Sequence, residues 1–188
     1  MRKLIQRHPA YRLVIAGKPK NCEEYWTALR RDIADEILNG QIILHEEYIP
    51  DEETEIYFKA CDVLVLPYRY IYQSGVLFLG YSFGLPVLAS DVGSLNDDIL
   101  EDRTGFVFQP ENPDDLAITI DRYFSSDLYR NLASARADIR AYAEEKHSWT
   151  EVARITTQVY QLLRRQPNNR ISQDCCSSPN PLDFDSSR

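Results

Sequence analysis

The sequence predicts a doubly wound α/β domain, in which a mostly parallel sheet carries helices on both of its faces. Apolar runs of strand length alternate with segments of helical periodicity along most of the 188 residues. One run, CDVLVLP at residues 61–67, is almost continuously apolar, which is typical of a strand buried on both faces. Strands that alternate with helices pair in parallel through right-handed crossovers. Ligands of such sheets bind outside the carboxyl ends of the strands.

The first part of the chain predicts two strands and two helices. Residues 11–17, YRLVIAG, form a short strand that ends in glycine, and residues 41–49 form the next strand. Between them, residues 22–38 place apolar side chains at helical spacing, and Asn39-Gly40 closes that helix. Residues 50–60 begin with proline and three acidic residues, which the helix dipole favours at an N-terminus.

The rest of the chain continues the alternation. In order, we expect a strand at 61–68, a helix at about 75–83, strands at 86–90 and 105–110, and helices at 112–126, 127–145 and 149–165. Asn112 stands at the N-cap position of its helix and is followed by proline. From residue 166 the chain is polar and lacks periodicity. We therefore expect one domain over residues 1–165 and a disordered tail over 166–188.

The composition excludes several classes of function. A net charge of −8 argues against general affinity for nucleic acid or for an anionic membrane. No apolar run approaches the roughly 18 residues that span a bilayer, and we expect that residues 1–17 are not a secretory signal. The cysteines match no metal motif, and the histidines occur in different settings, so we expect no metal site. We interpret Cys61 as a buried free thiol and expect a cytoplasmic protein.

The segment that begins Ser74-Gly75 and ends Gly84-Leu85-Pro86 lies between two predicted strands. Gly84 is expected to end the helix, and the proline to begin the next strand. Ser74 is at an N-cap position, and Gly75 begins the helix without a side chain. The spacing leaves two interpretations open. Either Ser74 only caps a packed helix, or the free N–H groups of residues 75–77 hold a phosphate.

An ordered set of motifs resembles a known family. LVIAGK, YIPDEETEIYFKACDVLVLPY, SGVLFLGYSFGLPVLASDVGSLNDDI and DRTGFVFQPENPDDLAITI follow one another as in the carboxy-terminal domain of GT-B-fold glycosyltransferases of the "glycosyl transferases group 1" family. The resemblance covers about residues 11–163. It implies a Rossmann-like domain, one half of a GT-B fold, that binds a nucleoside diphosphate sugar for transfer of a hexose. It also implies that no metal or other cofactor is required.

The resemblance implies a set of donor-binding residues. Gly17 and Lys18 match a loop that faces the nucleotide. Tyr48 and Ile49 match the segment that frames the base. The loop and helix start that approach the phosphates and the sugar correspond to Gln73, Ser74, Gly75, Val76 and Leu77.

Residues of the preceding loop are further candidates. Arg69 is expected to offset phosphate charge, and Tyr72, with Tyr68 and Tyr70, lines a sugar or base pocket in one interpretation and is an ordinary surface tyrosine in the other. Asp91 and the Asp97-Asp98 pair follow a strand, and we expect them to be solvated loop acids. The alternative is that they lie on the binding edge, for which Asp91 is the better candidate because it directly follows the strand. No residue matches a general base, so the catalytic residues are unknown.

Two departures from the family qualify this prediction. Many members carry a pair of glutamates that contact the sugar and the ribose, and Tyr72 and Leu79 occupy those positions here. By the same resemblance, we expect the sequence to start after the strand that carries the family's diphosphate-binding Arg and Lys, and to lack the acceptor domain. We therefore expect a fragment or one half of a split enzyme, inactive by itself. The alternatives are a non-catalytic, partner-binding homologue and, more weakly, a nucleotide-binding domain of other chemistry, for which no G-x-G-x-x-G motif is present.

Overall fold

The computed structural model describes residues 2–146 and 148–165. Contacts divide the chain into two compact units, Met1–Lys146 and His147–Arg188. The predicted tail at 166–188 lies outside the described residues, so its disorder and the domain boundary at 165 stay predictions.

The chain alternates between helices and strands much as predicted. The elements are Arg2–Arg7 (α1), Leu13–Ala16 (β1), Glu23–Asp32 (α2), Ala34–Leu38 (α3), Ile42–His45 (β2), Asp51–Ala60 (α4), Leu64–Leu66 (β3), Gly75–Ser82 (α5), Val87–Ser90 (β4), Leu95–Asp98 (α6), Gly105–Phe108 (β5), Pro113–Ser125 (α7), Asp127–Arg130 (α8), Leu132–Lys146 (α9) and Trp149–Arg165 (α10). The sequence pattern missed α6, which has only four residues and therefore shows no helical period.

The strands form two parallel sheets where we had expected one continuous sheet. One sheet pairs β1 with β2, and the other has the order β3-β4-β5. Among the described residues no strand joins β1 to β3. Ring contacts link the two sheets instead. Tyr11, just before β1, lies against Phe124 of α7 with ring centroids 4.4 Å apart, and Phe58 of α4 stacks on Phe83 at the end of α5, at 5.3 Å.

The main hydrophobic core lies around the three-stranded sheet. Every residue of β4 is buried, as its apolar sequence predicted, because helices cover both faces of this central strand. By contrast, β3 was expected to be buried on both faces, but Leu64 and Val65 are only half-buried because β3 is an edge strand of its sheet. The fully buried core residues include Leu77, Tyr81, Val87, Leu88, Leu95, Phe106, Tyr123 and Ile139.

Two helices that the sequence predicted as continuous are interrupted. The predicted 22–38 helix breaks at Ile33, where φ is −98° and ψ is 13°. Hydrogen bonds from Ile33 N–H to Leu29 and from Ile37 N–H to Ile33 continue on either side, so the break is a kink. The predicted 127–145 helix divides at Asn131 into α8 and α9.

Gly40 and Gly84 end α3 and α5 in the same way. Each has φ +68°, in the left-handed region that glycine adopts without strain. Gly84 N–H donates to Tyr81 O, and the next N–H donates to Gly80 O, which is the Schellman motif. The hydrogen bonds around Gly40 repeat this pattern. The predicted role of both glycines in ending a helix is confirmed.

The second unit is described by a single helix, α10. Its apolar side chains recur at helical spacing and are about half exposed: Val152, Ile155, Val159, Leu162 and Leu163. Glu151 and Arg154 form an ion pair on its surface. No helix within the described part of the chain is both long enough and apolar enough to cross a membrane.

Gly40 and Gly84 have the same φ, so substituting each by alanine separates the effects of backbone strain and steric overlap on the free energy of unfolding. Gly40→Ala should lower the free energy of unfolding by about 1 kcal/mol, because φ is positive but the added Cβ meets open space. Gly84→Ala should cost about 1–3 kcal/mol more, because its Cβ would overlap the carbonyl oxygen of Arg136. Urea unfolding of both variants measures the difference. Equal losses would contradict the packing of α5 on α9.

Candidate functional site

Three loops leave the carboxyl ends of β3, β4 and β5 and lie side by side. They are residues 67–74, 91–94 and 109–112, and they meet because the three strands are parallel neighbours. The Ser90 hydroxyl, at the end of β4, donates to Tyr68 O at 2.6 Å. Arg69 in the first loop forms an ion pair with Glu111 in the third. This edge is where parallel sheets bind ligands.

Ser74 caps α5, as the sequence predicted. Its Oγ accepts a hydrogen bond from Leu77 N–H at 3.3 Å, and Ser74 is almost completely buried. The Tyr68 hydroxyl lies 3.3 Å from the same Oγ. The cap therefore has two partners and fixes the direction in which α5 leaves the loop.

The start of α5 differs from the expectation at one residue. We expected free N–H groups at Gly75, Val76 and Leu77, but the Leu77 N–H is used in the Ser74 cap. The Leu77 side chain is fully buried in the core, so it does not reach the surface at the start of α5. Gly75 and Val76 are exposed, and a Cβ built on Gly75 meets nothing within 4 Å. There is therefore open space at the N-terminus of α5.

The side chains of the first loop have different environments. Arg69 donates from Nε to Glu111 Oε1 at 2.5 Å, so its charge is already partly offset. Tyr68 turns inward to Ser74, whereas Tyr70 and Tyr72 are 90% and 81% exposed. Gln73 is exposed beside them. Tyr72 and Gln73 thus lie on the same surface as the start of α5.

The loops that follow β1 and β2 form a second group. A surface cavity of about 440 Å³ is lined by Lys18, Pro19, Lys20 and Tyr48. Gly17 has φ +133° and donates its N–H to His45 O, which directs the chain from β1 into this cavity. Ile49 is half-buried and does not line it. Lys20 was missed by the sequence analysis, although Lys-Pro-Lys directly after a strand-ending glycine was a usable signal.

Glu46 connects the loop after β2 to α2. Its Oε1 accepts a hydrogen bond from Trp26 Nε1, and its Oε2 pairs with Arg30 at 3.1 Å. Glu46 precedes Tyr48 by two residues, so these contacts fix the loop that carries Tyr48 to α2. Another surface cavity of about 380 Å³ runs along α2 between Glu23 and Arg31, and it includes no loop from a strand end.

The structure does not connect the two groups directly. Across the described residues, we find no hydrogen bond, ion pair or ring contact that joins the Lys18–Tyr48 cavity to the start of α5. The same residues hold no cluster of three or more His, Cys, Asp or Glu side chains suited to a metal ion. Asp98 is buried and pairs with Lys146 at 3.3 Å, so it is not the solvated loop acid that we expected, whereas Asp91 is exposed.

The sequence matches the family described as "Glycosyl transferases group 1" over residues 1–126. An uncharacterized glycosyltransferase of Methanocaldococcus jannaschii, MJ1607, is 29% identical over 166 residues. That alignment covers 86% of this chain and 40% of the relative. The chain therefore spans well under half the length of that curated relative.

Solved structures share the fold. Anabaena Alr3699/HepE in complex with UDP superposes with a TM-score of 0.69 at 17% identity, over 87% of this chain and 44% of that one. The C-terminal domain of a glycosyl transferase group 1 family protein, LpcC of Francisella tularensis, gives 0.66 at 16% identity. That match covers 78% of this chain and 75% of the LpcC domain. At these identities the likeness concerns the fold.

The cap of α5 gives a stability prediction. Ser74→Ala should lower the free energy of unfolding by about 1 kcal/mol, because the Leu77 N–H would lose its acceptor. Ser126→Ala, which removes the cap of α8, should cost a similar amount. Ser134→Ala removes an exposed hydroxyl that donates to the carbonyl of Asn131, directly before α9, and should change stability by less than about 0.5 kcal/mol. Chemical unfolding measures all three. A neutral Ser74→Ala would contradict the cap.

Proposed function

The chain belongs to the glycosyl transferases group 1 family and has the Rossmann-like fold of one half of a GT-B enzyme, and from this premise we propose that it binds the nucleoside diphosphate sugar of a glycosyltransferase that transfers a hexose. The observation that carries the proposal is the exposed start of α5 beside Gly75, at the carboxyl edge of the three-stranded sheet. HepE, which shares this fold, has been crystallised with UDP and with UDP-glucose.

The start of α5 suits a phosphate. The first N–H groups of a helix have no partner within it, and the helix dipole favours negative charge there. The N–H of Leu77 is used in the cap, which leaves those of Gly75 and Val76 for the ligand. Because Gly75 has no side chain and open space around its Cα, an oxygen can approach the backbone closely. Tyr72 and Gln73 then contact the sugar.

The Lys18–Tyr48 cavity suits the nucleoside. The exposed Tyr48 ring offers an aromatic face for a base, and Lys18 and Lys20 supply positive charge at the same cavity. Its volume of about 440 Å³ lies within the range of small-molecule sites. In this arrangement Gly17 directs the chain into the cavity, and Ile49 follows Tyr48 without lining the cavity.

Arg69 has a conditional role in the proposal. It contributes to phosphate binding only by leaving Glu111. Both side chains of this ion pair are more than half exposed, and exposed pairs contribute about 0–1 kcal/mol. The exchange of one anionic partner for another therefore costs little.

Catalysis would require a general base and an acceptor site in addition to the donor-binding residues. We assign no general base to this chain, and the acceptor would be bound by another domain, in the same or another polypeptide. We therefore expect the 188-residue chain to bind nucleotide and to transfer little or no sugar. We also propose that binding requires no metal ion and that the protein works in the cytoplasm. The described cysteines, Cys22 and Cys61, are free thiols, which suits a reducing compartment. Cys61 is half-buried, whereas we had interpreted it as buried.

Isothermal titration of UDP and GDP tests the proposal. Gly75→Val should weaken binding at least about tenfold, because its side chain would occupy the space that the phosphate needs. Tyr48→Ala should weaken it by about 1–2 kcal/mol through loss of the ring face. Ala133→Val, at an exposed position of α9, is the matched control and should bind like the wild type.

The controls separate the parts of the proposal. Melting temperatures near that of the wild type would show that the variants fold. Titration in EDTA should give the same Kd as titration with Mg²⁺, and a loss of binding in EDTA would overturn the metal-free part. If Gly75→Val binds as tightly as the wild type, the start of α5 is not the phosphate site.

A second candidate function is that of a partner-binding subunit of a split glycosyltransferase, or of a non-catalytic homologue. The open strand edges favour it. β1 pairs only with β2, and β3 pairs only with β4, in the part of the chain that the structure describes. Unpaired edges of this kind accept a strand from another polypeptide. Helices α2, α3 and α4 contain no buried residue, so the β1–β2 side is also thinly covered.

Hydrogen exchange of the isolated chain tests whether that edge is open. In a parallel ladder alternate N–H groups face opposite sides, so the register directs Ile15 toward β2 and directs Val14 and Ala16 away from it. Val14 and Ala16 should exchange much faster than Ile15. In β4, which is paired on both sides, Leu88 and Ala89 should both be slow. Slow exchange at Val14 and Ala16 would remove the support for this candidate.

A further inference from the structure

The turn that follows β4 makes close backbone contact with the loop that precedes α5. Gly93 has φ +59°, and a Cβ built on it would overlap the carbonyl oxygens of Ile71 and Tyr72. A side chain at this position would therefore push the loop away. Glycine is required both for the left-handed backbone conformation and for the approach.

Ser94 holds the same loop by hydrogen bonds. Its N–H donates to Tyr72 O at 2.9 Å, and its hydroxyl donates to the same oxygen at 3.1 Å. The hydroxyl also lies 3.4 Å from Asp98 Oδ2, and the carbonyl is the nearer of the two acceptors. The Tyr72 carbonyl thus accepts two hydrogen bonds from one residue.

Ser94 stands at the N-cap position of α6 but does not cap that helix. A serine at an N-cap usually accepts a hydrogen bond from its own helix. Here its side chain makes no capping bond and turns across to Tyr72. The hydroxyl therefore makes its shorter hydrogen bond to the loop, at 3.1 Å, and its longer one to Asp98 of α6, at 3.4 Å.

These contacts set the direction of a neighbouring amide. All described peptide bonds are trans, and in a trans peptide the N–H points opposite to the C=O. Because the Tyr72 carbonyl is directed at Ser94, the Gln73 N–H points away from the β4 turn. The loop is separately held at its two ends by Ser90, through Tyr68 O, and by the Ser74 cap. Ser94 orients the peptide between those ends.

We propose that Ser94, placed by Gly93, is a positioning residue that orients the Tyr72–Gln73 peptide so that the Gln73 N–H joins those of Gly75 and Val76 in binding the diphosphate or sugar of the donor. The inference rests on the proposed function. Ser94 acts on the ligand only through this peptide.

Nucleotide titration and amide NMR of Ser94→Ala test the inference. The variant keeps the Ser94 N–H bond and removes one of two hydrogen bonds, so UDP or GDP should bind about three- to tenfold more weakly. Ser94→Thr keeps the hydroxyl and should bind like the wild type. The backbone amide signal of Gln73 should shift in Ser94→Ala without ligand, and that of Gly105, on β5, should not. Ser134→Ala, which also removes a hydroxyl bonded to a backbone carbonyl, is the control for a general effect.

The outcomes separate this inference from the proposed function. If the wild type binds nucleotide and Ser94→Ala binds equally well, or if the Gln73 signal does not move, the positioning role is overturned and the binding function stands. If the wild type binds neither UDP nor GDP, the proposed function fails and the inference fails with it. A fall in the melting temperature of Ser94→Ala with unchanged affinity would show a structural role alone and would also overturn the inference.

Discussion

The burial of β4 between two parallel neighbours is the constraint on which the rest of the structure depends. All four of its residues are buried, and its N–H groups alternate between β3 and β5. A slip of its register would break both ladders and remove apolar side chains from both covered faces. The carboxyl ends of three strands are therefore held level, and the loops that leave them meet. The bonds from Ser90 to Tyr68 and from Arg69 to Glu111 depend on this alignment.

The two sheets contribute unequally to stability. The three-stranded sheet carries almost the whole hydrophobic core, whereas the helices around β1 and β2 bury few side chains. The candidate phosphate site lies at the edge of the three-stranded sheet, and the candidate nucleoside site lies at the edge of the β1–β2 sheet. A nucleotide that contacts both sites would stabilise the association of the two sheets, which ring contacts also link. If so, ligand binding and the packing of the two sheets against each other would each strengthen the other.

Local features of the fold could be predicted from the sequence, and long-range features could not. The caps at Ser74 and Asn112 follow from the residues themselves, because each acts within its own turn. The ion pair of Arg69 joins residues 42 positions apart, and the bond from Ser94 joins residues 22 apart. Such contacts depend on strand order. For the same reason the alternation of elements indicated a parallel sheet without revealing that it is divided between β1 and β3.

The replacement of the family's two glutamates by Tyr72 and Leu79 changes how a donor would be recognised. Tyr72 and Leu79 stand where the family resemblance places glutamates, and both side chains are partly or largely exposed. No carboxylate at these positions can accept hydrogen bonds from sugar or ribose hydroxyls. In a chain of net charge −8, this also removes local repulsion toward a diphosphate. In the proposed function, recognition would then depend on backbone N–H groups, whose direction is set by the packing around them. An N–H group cannot move toward a ligand as a long side chain can, so an error in peptide orientation is not corrected on binding. In the proposed function, this is why the contact of Ser94 with the Tyr72 carbonyl would affect what the site binds.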